Sequence, residues 1–268
     1  MAKSATITAL SAGVGAKSSR HKHYPKLLAF TLAEVLITLG IIGVVAAMTI
    51  PTLMVNVQLA ELQTAYKKVY SDLNQAAQHF QADYDIAVPD YTYWNADNAG
   101  MQNAINFQTN IFWTYFKKSA VQERKTTIKP LSPKYSSTVM NYCDYSSNFV
   151  DINGRFIRFD DDNANGENGP KICVDTNGDK PPNRQGWDNF LFLFTTDGKV
   201  IPIGQSHINN PVNKTQANRN FSVDAVGNCK VSANIIQNAS CSYYALLDQS
   251  PDDSSKSYWH DFLPSLKN

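Results

Sequence analysis

Four groups of residues in this chain have the types and spacing for chemistry. DDDNANG, residues 160–166, and CVDTNGDKPPN, residues 173–183, each alternate oxygen-bearing side chains: Asp161, Asn163 and Asn165 in the first, Asp175, Asn177 and Asp179 in the second. Hard oxygen donors on turn-rich backbone suit Ca²⁺, and the first run fits the opening half of a D-x-[DN]-x-[DN]-G loop. Ile172 stands at that loop's twelfth position, where a bidentate Glu belongs. The competing reading is two solvated turns, since Asp, Asn and Gly build turns without any ion. Cys143, Cys173, Cys229 and Cys241 form an even set without a CxxC pair or Cys/His spacing. Two disulfides are expected, with all three connectivities open and four buried thiols as the alternative. His79, His260 and the Ser206-His207 pair lack the paired glycines of a nucleophile elbow, so no enzymatic activity is expected. Sequons at Asn213, Asn220 and Asn238 would accept glycans in an exported protein, but a chain this rich in Asn, Ser and Thr also produces them by chance.

The fourth group is a single residue. From Phe30 to Ile50 the chain runs 21 residues with one charge, Glu34. A helix of that length spans roughly 30 Å, the thickness of a hydrocarbon core. A carboxylate there costs up to about 3 kcal/mol at the bilayer centre, and less near a helix end, so it is seldom present without a partner. The elements that must position it are a basic leader and whatever follows. Residues 1–29 hold Lys3, Lys17, Arg20, Lys22 and Lys26 and no acid; of 24 basic residues five lie there, leaving 19 against 23 acids in the remainder. Positive charge retains the leader in the cytoplasm and sends the body outward. The acidic body gives no reason to expect a nucleic-acid partner.

Three readings of the N-terminus differ in where the chain is cut. A secretory signal would be cleaved after Ala47, where Val45 and Ala47 are small; a plain signal anchor would not be cut. In the third reading the cut falls between Ala29 and Phe30 and the apolar segment is kept. KLLAFTLAEVLITLGIIGVVAAMTIP resembles the N-terminus of type IV pilins and of the pseudopilins of type II secretion systems, matching at Phe30, Thr31, Leu32, Glu34, Gly43 and Pro51, with Ala29 where Gly is usual. The resemblance covers about 30 residues. It implies cleavage by a prepilin peptidase, N-methylation of the new Phe30 amine, and pairing of Glu34 with that amine on a neighbouring subunit. Thr31, Leu32 and Pro51 join Glu34 in the assembly segment. The expected partners are other pilin or pseudopilin subunits and an inner-membrane assembly platform. The expected location is the bacterial inner membrane, single-pass with the head outside, and afterwards a periplasmic or cell-surface filament. Opposite charges in a low dielectric attract strongly and would set helical register; the bland alternative is that Glu34 snorkels to the headgroups.

After Pro51 apolar residues recur at Val55, Leu59, Leu62, Tyr66, Val69, Leu73, Ala76 and Phe80, gaps alternating four and three, which predicts an amphipathic helix over 52–80. Pro51 predicts a kink rather than a stop; a coiled coil is the alternative for the second half. A second helix is expected over 101–119, with Ile105, Phe112 and Phe116 on one face. NFVDINGRFIRF, residues 148–159, and NFLFLFTTDGKVIPI, residues 189–203, predict hairpins turning at Asn153-Gly154 and Asp197-Gly198. YWHDFLP, residues 258–264, is expected to dock on the head. The sum is an α+β fold of pilin-like layout: leader 1–29, transmembrane and polymerisation helix 30–51, exported head 52–268. The expected function is a filament subunit, with a signal-anchored or secreted ligand-binding module as the alternative. The 239 residues left after a cut before Phe30 favour a minor or expanded-head subunit.

Overall fold

The structure, a computed structural model, describes residues 30–88, 91, 111–116, 118–122, 128–135, 148–160, 171–195, 197–204, 229–233 and 235–267. Helix α1 runs from Leu32 to Tyr84. The chain divides into two compact units at Ile50/Pro51, yet the helix continues through Pro51, whose missing N–H removes one hydrogen bond without ending it. Among the described residues of the first unit nothing covers the helix. Leu36, Ile37, Leu39, Ile41 and Ile42 are each about 60% exposed, and α1 is long and apolar enough to cross a membrane.

In the second unit the same helix is half buried. Leu59, Leu62, Tyr66, Val69, Leu73, Ala76, Ala77 and Phe80 form its inner stripe, which is the face that the four-three spacing selects. Each large apolar side chain so buried stabilises the fold by about 1.5–3 kcal/mol. The stripe packs on a six-stranded antiparallel meander, β1 (Lys118–Gln122), β2 (Asn148–Asp151), β3 (Phe156–Asp160), β4 (Lys171–Asp175), β5 (Asn189–Phe194) and β6 (Val200–Pro202), whose spatial order is the sequence order. Every neighbouring pair is antiparallel.

β5 is buried along its whole length. Phe190, Phe192 and Phe194 join the cluster around α1, while Leu191 and Leu193 join a second one with Cys173, Ile201, Ile203 and Ala239. A strand covered on both faces needs a continuous apolar run, which NFLFLF supplies. Both expected hairpins form. The first turns with Gly154 at φ 78°, but Asp151 organises it: Oδ1 accepts from the Asn153 and Arg155 amides at 2.8 and 3.0 Å. Buried Arg155 also pairs with Asp151 through its guanidinium and reaches Asp72 on α1 at 2.7 Å, stapling the hairpin to the helix.

The helix expected over 101–119 does not form across its described part. Phe112–Tyr115 is one 3₁₀ turn and Lys118–Gln122 is strand β1, pairing with β2. The turn lets Phe112 and Trp113 insert into the core, Trp113 stacking on Phe149 at 4.3 Å, and the next residues satisfy the backbone of β2; tertiary pairing outweighs a weak local preference. Residues 101–110 lie outside the described residues.

The C-terminal segment, α2 (Ile235–Ala239), α3 (Cys241–Leu247), a π-helical turn (Tyr258–Phe262) and α4 (Leu263–Ser265), closes the core. Tyr66 donates its hydroxyl to the Ser242 carbonyl at 2.5 Å, and Trp259, wholly buried, lies 6.0 and 5.9 Å from the Tyr66 and Phe190 rings. YWHDFLP thus docks as expected. Truncating Trp259 to Ala empties a wholly buried site; the expected loss is about 3–5 kcal/mol in a denaturant titration, and Trp259→Phe should lose less.

Candidate functional site

Two places gather the residues singled out by type and spacing. At the start of α1, Thr31 and Glu34 close a reciprocal cap. Glu34 Oε2 accepts from the Thr31 backbone N–H and from its hydroxyl, both at 2.8 Å, while the Glu34 amide donates to Thr31 Oγ1 at 3.2 Å. This is a capping box, and T-L-A-E has the S/T-x-x-E spacing that marks one, so the pattern is legible in the sequence. Glu34 therefore has a partner within its own chain. The cap uses the amide of Thr31 and not that of Phe30, so a cut before Phe30 would leave it intact. Phe30 is 85% exposed, and Ala29 lies outside the described residues. A side chain at Gly40 or Gly43 would meet nothing within 4 Å among the described residues, so none of them requires glycine there.

The second place is the loop from β4 to β5. Asp175 ends β4, and Asp188 stands just before β5; both are buried. The Asn183 and Arg184 amides donate to Asp188 at 2.7 Å each. Asn189 Nδ2 bridges the pair, donating to Asp175 Oδ2 at 3.2 Å and to Asp188 Oδ1 at 2.9 Å. The Asn177 amide donates to Asp175 Oδ1 at 3.3 Å. Gly178 has φ 68° and lies so close to the Gly154 carbonyl that a side chain would collide with it. Of the three donors expected here, Asp175 and Asn177 converge, whereas Asp179 is exposed. The structure adds Asp188, Asn183 and Asn189, which the spacing argument missed because they enter from the far end of the loop. Asp161, Asn163 and Asn165 lie outside the described residues.

Burial, reinforced by the neighbouring Asp188 charge, pushes the Asp175 carboxyl up to about 8. Burial also pushes Asp188 up to about 6, opposed by its hydrogen bonds from Arg184 and Asn189. Arg158 faces Asp175, and Arg184 faces Asp188.

Cys229 and Cys241 form a disulfide with Cα atoms 4.6 Å apart, and Cys173 is also disulfide-bonded; Cys143 lies outside the described residues. Asn238, one of the three sequons, is wholly buried and structural: its Oδ1 accepts from Leu131 N at 3.0 Å and its Nδ2 donates to Lys230 O at 2.6 Å. The other two sequons and Ser206-His207 lie outside the described residues. His79 packs its ring parallel to Tyr115 at 6.4 Å, and His260 is exposed.

The buried acid pair makes stability depend on pH. A carboxyl raised above its unfolded value favours the folded state when protonated, so its contribution is complete below about pH 4 and fades as pH rises through about 6 and then about 8. In EDTA the melting temperature should fall by several degrees over that window, and Asp175→Asn should flatten the fall. No family model, curated protein or solved structure matches this chain.

Proposed function

We propose that the chain is a structural subunit of a type IV pilus or secretion pseudopilus, cut between Ala29 and Phe30 by a prepilin peptidase and assembled with other subunits through α1. One observation carries the reading: the helix that builds the core of the head extends through an apolar stretch that none of the described residues covers. Such a surface needs lipid or other helices. None of the described residues packs on its glycines, and small residues let helices approach closely in a membrane. In this reading the precursor stands in the inner membrane with its head outside, an assembly platform extracts it, and the Phe30 amine of one subunit meets Glu34 of another.

The capping box favours a second reading, an anchored or secreted binding module that does not polymerise, because it gives Glu34 a purpose inside one chain. The two separate cleanly. Gln serves a capping box as Glu does but carries no charge. Under the filament reading Glu34→Gln inserts normally, keeps its helix, and incorporates into filaments at least about tenfold less than wild type, whereas the binding-module reading predicts no effect of the lost charge. The mature N-terminus gives the independent check by mass spectrometry: a chain beginning at Phe30, methylated, supports the filament, and one beginning at Met48 or Met1 rules it out.

A further inference from the structure

We infer that a cleft in the head, between the outer edge of α1, the 3₁₀ turn and the first hairpin, binds a neutral carbohydrate of one or two sugar rings. The inference does not depend on whether the chain forms filaments.

The cleft measures about 330 Å³, at the lower end of the range of about 300–1,000 Å³ in which small ligands bind. One wall is a line along α1. Lys68, Asp72, Gln75 and His79 recur at gaps of four, three and four. Each stands one residue before a member of the buried stripe, so the line runs beside that stripe. The facing wall is the turn of the first hairpin. The Gly154 amide donates to the Asp151 carbonyl at 2.9 Å, which places Ile152 and Asn153 at the two central positions of the turn. Turns favour Gly, Pro, Asn, Asp and Ser, yet Ile152 stands there, 60% exposed on the rim of the cleft; the turn itself does not need it. At the His79 end stands Tyr115. Its hydroxyl donates to Asp83 at 2.6 Å, and its ring lies 10° from parallel to that of His79.

Charge and hydrogen bonding select the ligand. Two cations and two carboxylates line the cleft and answer one another. Arg155, buried at the floor, pairs with Asp151 and Asp72, and Lys68 lies 3.5 Å from Asp72. Little net charge remains to draw an ion from water. What remains is hydrogen-bonding capacity of both kinds. Lys68 has ammonium hydrogens to spare, while Asp72 Oδ1, Gln75 Oε1 and Asn153 Oδ1 accept nothing from the described residues. A hydroxyl both donates and accepts, so a ligand carrying several hydroxyls uses this lining where an ion or an apolar molecule would not. The C–H face of a sugar ring fits against Ile152 and the flat rings of Tyr115 and His79. A peptide strand would need an open backbone edge, and α1 bonds its own backbone.

A glycan array probed with the full chain in a sugar-free detergent tests this, followed by titration of the strongest soluble glycan. The expected result is saturable binding of at least one neutral glycan, with an affinity that does not fall as NaCl is raised. Gln75→Ala and His79→Ala, both at exposed positions, should each weaken it about threefold to tenfold without lowering the melting temperature. Ile152→Ser should weaken it measurably, and Lys180→Ala, on the exposed β4–β5 loop, should leave it unchanged. Absence of neutral glycan binding overturns the inference, as does binding confined to charged glycans, lost on raising salt, or shown only on a parallel peptide array. Binding undiminished in both Gln75→Ala and His79→Ala, or weakened as much in Lys180→Ala, overturns the site.

Discussion

The inner stripe of α1, from Leu59 to Phe80, stays dry because a six-stranded sheet and a C-terminal segment close over it, and the rest of the head is arranged about that seam. Asn74 fixes it on one side, donating to and accepting from the Val200 backbone at 3.2 and 2.9 Å. Tyr66 fixes the C-terminal side through Ser242, and the Arg155–Asp72 pair ties in the first hairpin. A helix held by apolar contact along one face and by polar contacts at its borders cannot slide or rotate without unpairing buried groups. That rigidity lets the first hairpin and the C-terminal segment be held by contacts to the helix rather than only by each other.

The same helix meets the opposite condition before Pro51. There its apolar side chains are exposed on every side, a state water does not tolerate over so many residues. Helical hydrogen bonding satisfies the backbone of either half without outside help, so one secondary structure serves a buried core and an apolar stretch that the described residues leave uncovered; only the side chains differ, a single stripe in one and all faces in the other. Glu34 stands where this apolar part begins, and its capping box satisfies the Thr31 amide and hydroxyl.

The β4–β5 loop is the polar counterpart of the core. Two buried carboxylates stand near each other, served by backbone amides and by Asn189. Hydrogen bonds this numerous make ionised carboxylates tolerable, and burial makes them costly. The balance tips toward retained protons, since burial outweighs the hydrogen bonds and raises both carboxyls.

The sequence alone was enough for whatever depends on short-range periodicity or local turn chemistry. Gaps of four and three name the buried stripe of α1 from Leu59 to Phe80 apart from Ala77, with Val55 only partly buried at its start, because a 3.6-residue repeat allows no other face. Asn153-Gly154 and Asp197-Gly198 name both turns, because positive φ restricts the choice of residue. Thr31-x-x-Glu34 names the cap by the same kind of rule. Tertiary structure alone decided what depends on residues distant in the chain. Aromatic residues around Phe112 turn inward and the next five become β1, because a sheet needed that strand; Asp188 joins Asp175 because β4 and β5 lie side by side; Asn238, a sequon in the sequence, is a buried hinge of hydrogen bonds in the fold. Nothing local distinguishes an aspartate in a solvated turn from one in a buried pair. The difference lies in what the rest of the chain places over it.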